Sequence, residues 1–240
     1  WLENGRNNFG SGAANPIVFP KGTMPKNAGY FYRNGDSVSI HLNKGIFITI
    51  NGKPVQTALL FQNDTTTPVV AAYRNLRFTI IKRGNRMGIR LRNLAHPGLV
   101  QFKGIKRYPL DSTWNIPATL QTGSPDATIA ITNVLGQTTQ LKLAGRIQFT
   151  RNNQTYTLDA LEEGNELFII FADATNKKNT YPSGRFIYVQ KPGPNGQTFI
   201  DFNKAINPPC AFTPYATCPL PPPQNRLPIL VTAGEQRYDH

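Results

Sequence analysis

LRFTIIKRGNRMGIRLRN, residues 76–93, reads as two strands folded back on each other. Leu76, Phe78 and Ile80 alternate with Arg77 and Thr79, and after a turn at Lys82-Arg83-Gly84-Asn85 the residues Met87, Ile89 and Leu91 alternate with Gly88, Arg90 and Arg92. Side chains along a strand point to opposite faces in turn, so one face of this hairpin is apolar and the other cationic. A helix of the same composition would mix the two sets around its circumference.

The same grammar extends in both directions. NPIVFP, AGYFYRNGDSVSIHL and GIFITINGKPV precede the hairpin, and Asn34-Gly35 and Asn51-Gly52 are dipeptides that tolerate the positive φ of tight turns. DATIAITN, TTQLKLAG, RIQFTRNNQTYTLDALE, ELFIIFADAT, GRFIYVQ and TFIDFNKA follow it, with Asn152-Asn153 and Pro194-Asn195-Gly196 as turns. Gly and Pro number 20 each and separate runs rich in β-branched and aromatic residues, so helix is scarce. The expected fold is all-β, with two closely packed subdomains. Residues 1–93 form a sandwich, 94–110 a basic connector with His96-Pro97-Gly98, and 111–240 an antiparallel barrel or sandwich closed by a Cys/Pro-rich loop.

Formal net charge is +13, which favours a polyanionic partner such as nucleic acid, an anionic lipid surface or an acidic protein. From Thr65 to Leu110 there is no Asp or Glu, while Arg74, Arg77, Lys82, Arg83, Arg86, Arg90, Arg92, Lys103, Lys106 and Arg107 all fall there. The residues Arg77, Arg83, Arg90 and Arg92 mark the expected basic surface, read either as a solvated face or as a dock for an anionic partner. Nucleic acid is disfavoured, since no RNP, zinc-finger or Gly-rich phosphate motif is present. No run approaches the roughly 18 apolar residues of a membrane helix. The chain opens on Trp1 in what reads as mid-strand, so a preceding segment is expected, and with it export to the periplasm or cell surface.

The order of the first pieces, from Phe9-Gly10 through Asn15 to Pro20 and on to Asn51-Gly52, resembles a forkhead-associated domain. That family's Arg after the Gly is Ser11 here, and near its Ser-Arg-x-His motif stands Met24-Pro25-Lys26-Asn27-Ala28. Asn51 keeps the family's Asn-Gly position. The resemblance therefore implies a β-sandwich without a phosphothreonine pocket.

A longer signature runs from Asp201 to Leu227, DFNKAINPPCAFTPYATCPLPPPQNRL. It resembles the diagnostic stretch of a bacterial and archaeal family of unknown function, DUF1684. Similar residues continue upstream through Asp173-Ala174-Thr175, Thr180-Tyr181, Gly184-Arg185-Phe186, Ile81 to Gly84 and Gly5 to Gly10, so the resemblance spans essentially the whole chain. It implies no reaction, because the family carries no established activity.

Strand parity suggests a site. Ile169, Phe171 and Asp173 share one face, as do Arg185, Ile187 and Val189, and Phe199, Asp201 and Asn203. If consecutive strands pair, Asp173, Arg185 and Asp201 converge, with Asn203 and Asn207 beside them. Arg bridges two carboxylates well, so the cluster reads as a structural network holding the loop that follows. It reads alternatively as a ligand site in which one Asp is acid or base and Arg185 orients an anion. Thr175, Thr180, Tyr181, Asn225 and Arg226 complete the candidate set.

Seven prolines lie between Pro208 and Pro223 and make the loop irregular and stiff, suited to plug a barrel end or lid a cavity with Phe212, Tyr215 and Leu220 buried. Cys210 and Cys218, with seven residues between them, could be a disulfide, two thiols or half a metal site. His41, His96 and His240 show no ligand spacing to them, so no metal and no cofactor is expected. Three functions follow: a ligand- or partner-binding protein using Asp173, Arg185, Asp201 and Asn203, an enzyme using the Asp173 and Asp201 carboxylates, or a basic accessory subunit of a surface assembly docking through Arg77, Arg90 and Arg92.

Overall fold

The computed structural model describes residues 1–63 and 67–238, and the chain divides into two compact units, Trp1–Phe102 and Lys103–His240. The division cuts the basic connector. Leu94 to Phe102 go with the first unit, and Lys103 to Leu110 with the second.

The first unit contains β1 (Gly5–Gly10), β2 (Ile17–Val18), β3 (Gly29–Asn34), β4 (Ser37–Leu42), β5 (Ile48–Ile50), β6 (Lys53–Val55), β7 (Thr57–Phe61), β8 (Ala71–Tyr73), β9 (Leu76–Arg83) and β10 (Arg86–Asn93), then one short helix, α1 (Pro97–Gln101). They make two five-stranded sheets, ordered β2-β1-β3-β4-β7 and β10-β9-β8-β5-β6. Phe9, Phe31 and Ile40 from one sheet and Ile48, Leu76 and Phe78 from the other bury in a single cluster, the arrangement of a sandwich. Phe31 and Phe78 meet edge-on at 6.2 Å between ring centres.

The decisive hairpin forms as its pattern requires. Leu91 pairs with Phe78 and Ile89 with Ile80 on the inner face, while Arg92 pairs with Arg77, Arg90 with Thr79 and Arg86 with Arg83 on the other.

The second unit contains β11 (Asn115–Thr122), β12 (Thr128–Thr132), β13 (Thr138–Arg151), β14 (Gln154–Glu163), β15 (Glu166–Phe171), β16 (Arg185–Gln190) and β17 (Gln197–Asp201). Their sheet runs β16-β15-β14-β13-β11-β17, with β12 on β13. Alternate residues from every strand of the main order enter one core: Ile116 and Ala118, Ile147 and Phe149, Leu158 and Ala160, Ile169 and Phe171, Ile187 and Val189, Ile200 and Phe202. A sheet whose inner faces all meet in one core is curled into a barrel. The barrel is nearly closed, because Thr198 Oγ1 on β17 donates to Gln190 O at the end of β16 across the gap, 2.8 Å.

The long β13 makes the curl possible. Its first part pairs with β12 and its last part with β11, and a bulge between Leu143 and Gly145 separates the two. Gly145 has φ +148°, and a Cβ there would run into the Gln121 carbonyl. Only glycine lets the neighbouring strand come that close.

Candidate functional site

At the end of the barrel where β15 stops and β16 starts, Phe171 pairs with Arg185. Arg185 is fully buried, and its Nη2 donates to Asp173 Oδ2 at 2.9 Å and to Val231 O at 2.9 Å. Its Nη1 donates to Ala233 O and to Glu235 O. Val231 and Ala233 belong to the barrel core, so the guanidinium latches the C-terminal strap onto the barrel end. The other Asp173 oxygen accepts from Thr175 N (2.8 Å), Thr175 Oγ1 (2.6 Å) and Val231 N (3.2 Å). Thr175 Oγ1, its own proton given to Asp173, accepts from Thr180 Oγ1 at 2.7 Å, and Asn176 Nδ2 donates to Thr180 Oγ1 and Tyr181 O. Both carboxylate oxygens are therefore occupied and the side chain has no exposure. This arrangement has the form of a polar network in which protein donors take up both Asp173 oxygens.

Asp201 does not join it. Pairing of consecutive strands fails at this point, because β17 pairs with β11, Asn115 opposite Asp201, and not with β16. Parity then excludes Asp201 from the interior: Thr198, Ile200 and Phe202 are buried, which turns Phe199 and Asp201 outward. Asp201 Oδ1 instead caps a short helical turn, accepting from Asn203 N (3.1 Å) and Nδ2 (2.9 Å). Asn203 faces Asp111, donating to its carbonyl at 2.8 Å and accepting from its N–H at 3.1 Å.

The remaining candidates are fasteners. Asn207 N donates to Glu235 Oε2 at 2.7 Å and its Nδ2 to Gln236 O at 2.8 Å. Asn225, buried, accepts from Asp159 N (2.7 Å) and donates to the carbonyls of Asp159 and Ile170 (both 2.9 Å), tying its loop to β14 and β15. Arg226 is exposed, and its backbone makes a parallel bridge with Ala172. Sequence reasoning missed Asp159, which also holds Arg146 (2.9 Å) and Gln224 (2.6 Å), and Glu235, which also holds Arg107 (3.1 Å). The only signal for either was a carboxylate inside or beside an otherwise apolar strand.

The Cys/Pro-rich loop lies along the outside of the barrel wall, where Cys218 packs with Ile131, Leu161, Ile170 and Phe186. Cys218 O and Thr132 O accept from Val134 N and Leu220 N, which straps the loop to the end of β12. The expected burial of Tyr215 does not occur: it is 91% exposed at the loop's tip. Cys210 and Cys218 are free thiols, and Cys210 N donates to Cys218 Sγ at 3.0 Å. Burial first, then hydrogen bonding to Cys210, pushes the Cys218 thiol up to about 12, the opposite of what a nucleophile needs. Tyr181 Oη donates to Cys210 O at 3.1 Å. His41 stacks on Tyr30 and bonds Ser39, and His96 Nδ1 caps α1 by accepting from Gly98 N at 3.1 Å. His240 lies outside the described residues.

Two surfaces stay open. At the barrel mouth away from Arg185, Leu120, Leu143, Ala144 and Leu167 line a cleft of about 490 Å³. At its rim, Lys142 (2.7 Å) and Lys191 (3.0 Å) both pair with Glu162 and hold its carboxyl below the usual range. The other surface is the outer face of β9 and β10. Strand register places Arg77, Arg83, Arg86, Arg90 and Arg92 on it together, and among the described residues none of the five pairs with a carboxylate. Partial desolvation, then repulsion from Arg83 and Arg92, lowers the Arg90 guanidinium below its ordinary value. Trp1 packs its ring over Gly88 on the same face, and Arg86 stacks on that ring at 4.3 Å.

A family model described as "Protein of unknown function (DUF1684)" matches residues 100–236, nearly all of the second unit, and takes in Asp173 to Phe186 but not Ile81 to Gly84 or Gly5 to Gly10. No curated protein matches the chain. A solution NMR structure of an uncharacterized protein from Haloarcula marismortui aligns with 25% identity and a TM-score of 0.49, over 58% of this chain and 80% of that one.

Proposed function

The chain belongs to the DUF1684 family, and we propose that it is a non-catalytic binding protein that holds a polyanionic partner on the outer face of β9 and β10. One observation carries this reading: five arginines share one sheet face and, among the described residues, no carboxylate neutralises any of them. Like charges on neighbouring strands repel, so a fold that keeps Arg92 opposite Arg77 and Arg86 opposite Arg83 accepts a cost that an anion would offset. The geometry around Asp173 and Arg185 gives no comparable support to a ligand pocket or an enzyme, since both Asp173 oxygens are taken up by protein donors and both side chains are enclosed, although Arg185 Nε has no partner. An extracytoplasmic location fits the reading and is tested by fractionating the native cells.

Retention on immobilised inorganic polyphosphate tests the proposal. The protein is expected to bind at low salt and to elute as salt screens the face. The double variant Arg90→Glu/Arg92→Glu is expected to bind about tenfold or more weakly, with circular dichroism unchanged because both side chains are exposed. Equal retention of variant and parent would remove the arginine face from any role.

A further inference from the structure

We infer that the polyanion is an anionic phospholipid surface, on which the arginine face rests while Leu99 and Val100 enter the headgroup layer. The inference depends on the polyanion-binding reading and adds to it the segment that follows β10. Asn93 pairs with Leu76 and Leu94 N donates to Asn75 O, so the chain leaves the hairpin at the end that carries Arg77 and Arg92. It then forms the single turn of α1, capped by His96, and no residue of α1 is buried. Val100 is 91% exposed, Leu99 60% and Leu94 53%.

Large aliphatic side chains exposed on a capped turn that follows directly from a face of unneutralised arginines have the make-up of an interfacial anchor. Apolar groups gain by leaving water for the acyl boundary, and guanidiniums gain from phosphates at the surface. A soluble polyanion such as RNA or polyphosphate would satisfy the arginines but offers nothing to Leu99 and Val100. Trp1, 40% exposed beside Arg86 on the same face, is of a residue type that sits well at headgroup level.

Flotation of the full chain with vesicles tests this, using phosphatidylcholine alone and phosphatidylcholine with phosphatidylglycerol in equal parts, each run beside the polyphosphate column. The protein is expected to float with the mixed vesicles only. Arg90→Glu/Arg92→Glu is expected to lose both vesicle and polyphosphate binding, by about fivefold for each arginine on vesicles. Leu99→Asp/Val100→Asp, on exposed sites that leave folding intact, is expected to lose vesicle binding by about tenfold or more while keeping polyphosphate binding. If the parent binds polyphosphate and not mixed vesicles, or the Leu99→Asp/Val100→Asp variant floats as well as the parent, the lipid inference is overturned and the polyanion reading survives. Binding to neither probe overturns both.

Discussion

Arg185 makes four hydrogen bonds from its two terminal nitrogens, one to Asp173 and three to the carbonyls of the C-terminal strap. An ion pair with no solvent exposure contributes little beyond what an apolar pair of that size would, yet removing one partner strands a charge in the core. Asp173→Asn and Arg185→Met are each expected to lower the unfolding free energy by about 3–5 kcal/mol. The double variant Asp173→Asn/Arg185→Met should cost clearly less than their sum. Urea denaturation reads both; additive losses would mean that the two residues act separately. Cys218 and Tyr181 both resist ionisation in the folded protein. Burial, followed by contact with Cys210, raises each to about 12, from 9.0 for the thiol and 10.0 for the phenol. Both are favoured in the protonated form by folding, so in reduced protein their stabilisation is complete below about pH 9 and fades as pH climbs toward 12. Thermal melts from pH 8 to pH 11 under a reductant such as a phosphine should show that decline, and Cys218→Ala should flatten it.

At the scale of the element, Gly184 and Gly145 let chain segments of the second unit approach closely. Gly184, at φ +94°, leads into β16, and a Cβ there would sit 2.5 Å from Phe171 O and from Pro221 Cγ. Gly145 relieves the bulge on β13. Alanine at either position is expected to destabilise by about 1–3 kcal/mol, whereas alanine at Gly193, with nothing nearer than 3.6 Å and no positive φ, should be neutral. Comparing the three melting temperatures checks it. The elements were the most legible part of the chain, because period-two alternation in Leu76–Arg83 and Arg86–Asn93 leaves one apolar face whichever strands lie beside it. Their pairing was not legible to the same degree: β17 turns away from β16 to β11, and with it Asp201 leaves the expected cluster.

For the molecule as a whole, each unit has its own core, with Trp114 to Ala233 in one and Leu2 to Met87 in the other. A fragment of residues 103–240 is of a size that can bury an adequate core and is expected to fold alone with a cooperative melt. A random-coil circular dichroism spectrum of that fragment would show that it borrows stability from the rest. Charge belongs to the same scale. Of the 26 Lys and Arg residues in the chain, strand register gathers five on one face of one hairpin, so the fragment lacking residues 1–102 should lose polyphosphate retention.

The sequence by itself determined the all-β class, the turns at Asn51-Gly52 and Asn152-Asn153, the cationic face of β9 and β10, the Asp173–Arg185 contact across neighbouring strands, and the family. These rest on local rules: alternation, positive-φ tolerance, hairpin proximity and an uninterrupted motif. Only the tertiary structure decided that Asp201 belongs with Asp111 and Asn203, that Asn225 ties down β14 and β15, and that the Arg185–Asp173 pair is enclosed without solvent exposure. Each depends on which distant strands meet when the sheet curls into a barrel, and that is set by the packing of all six inner faces at once, which no single segment encodes.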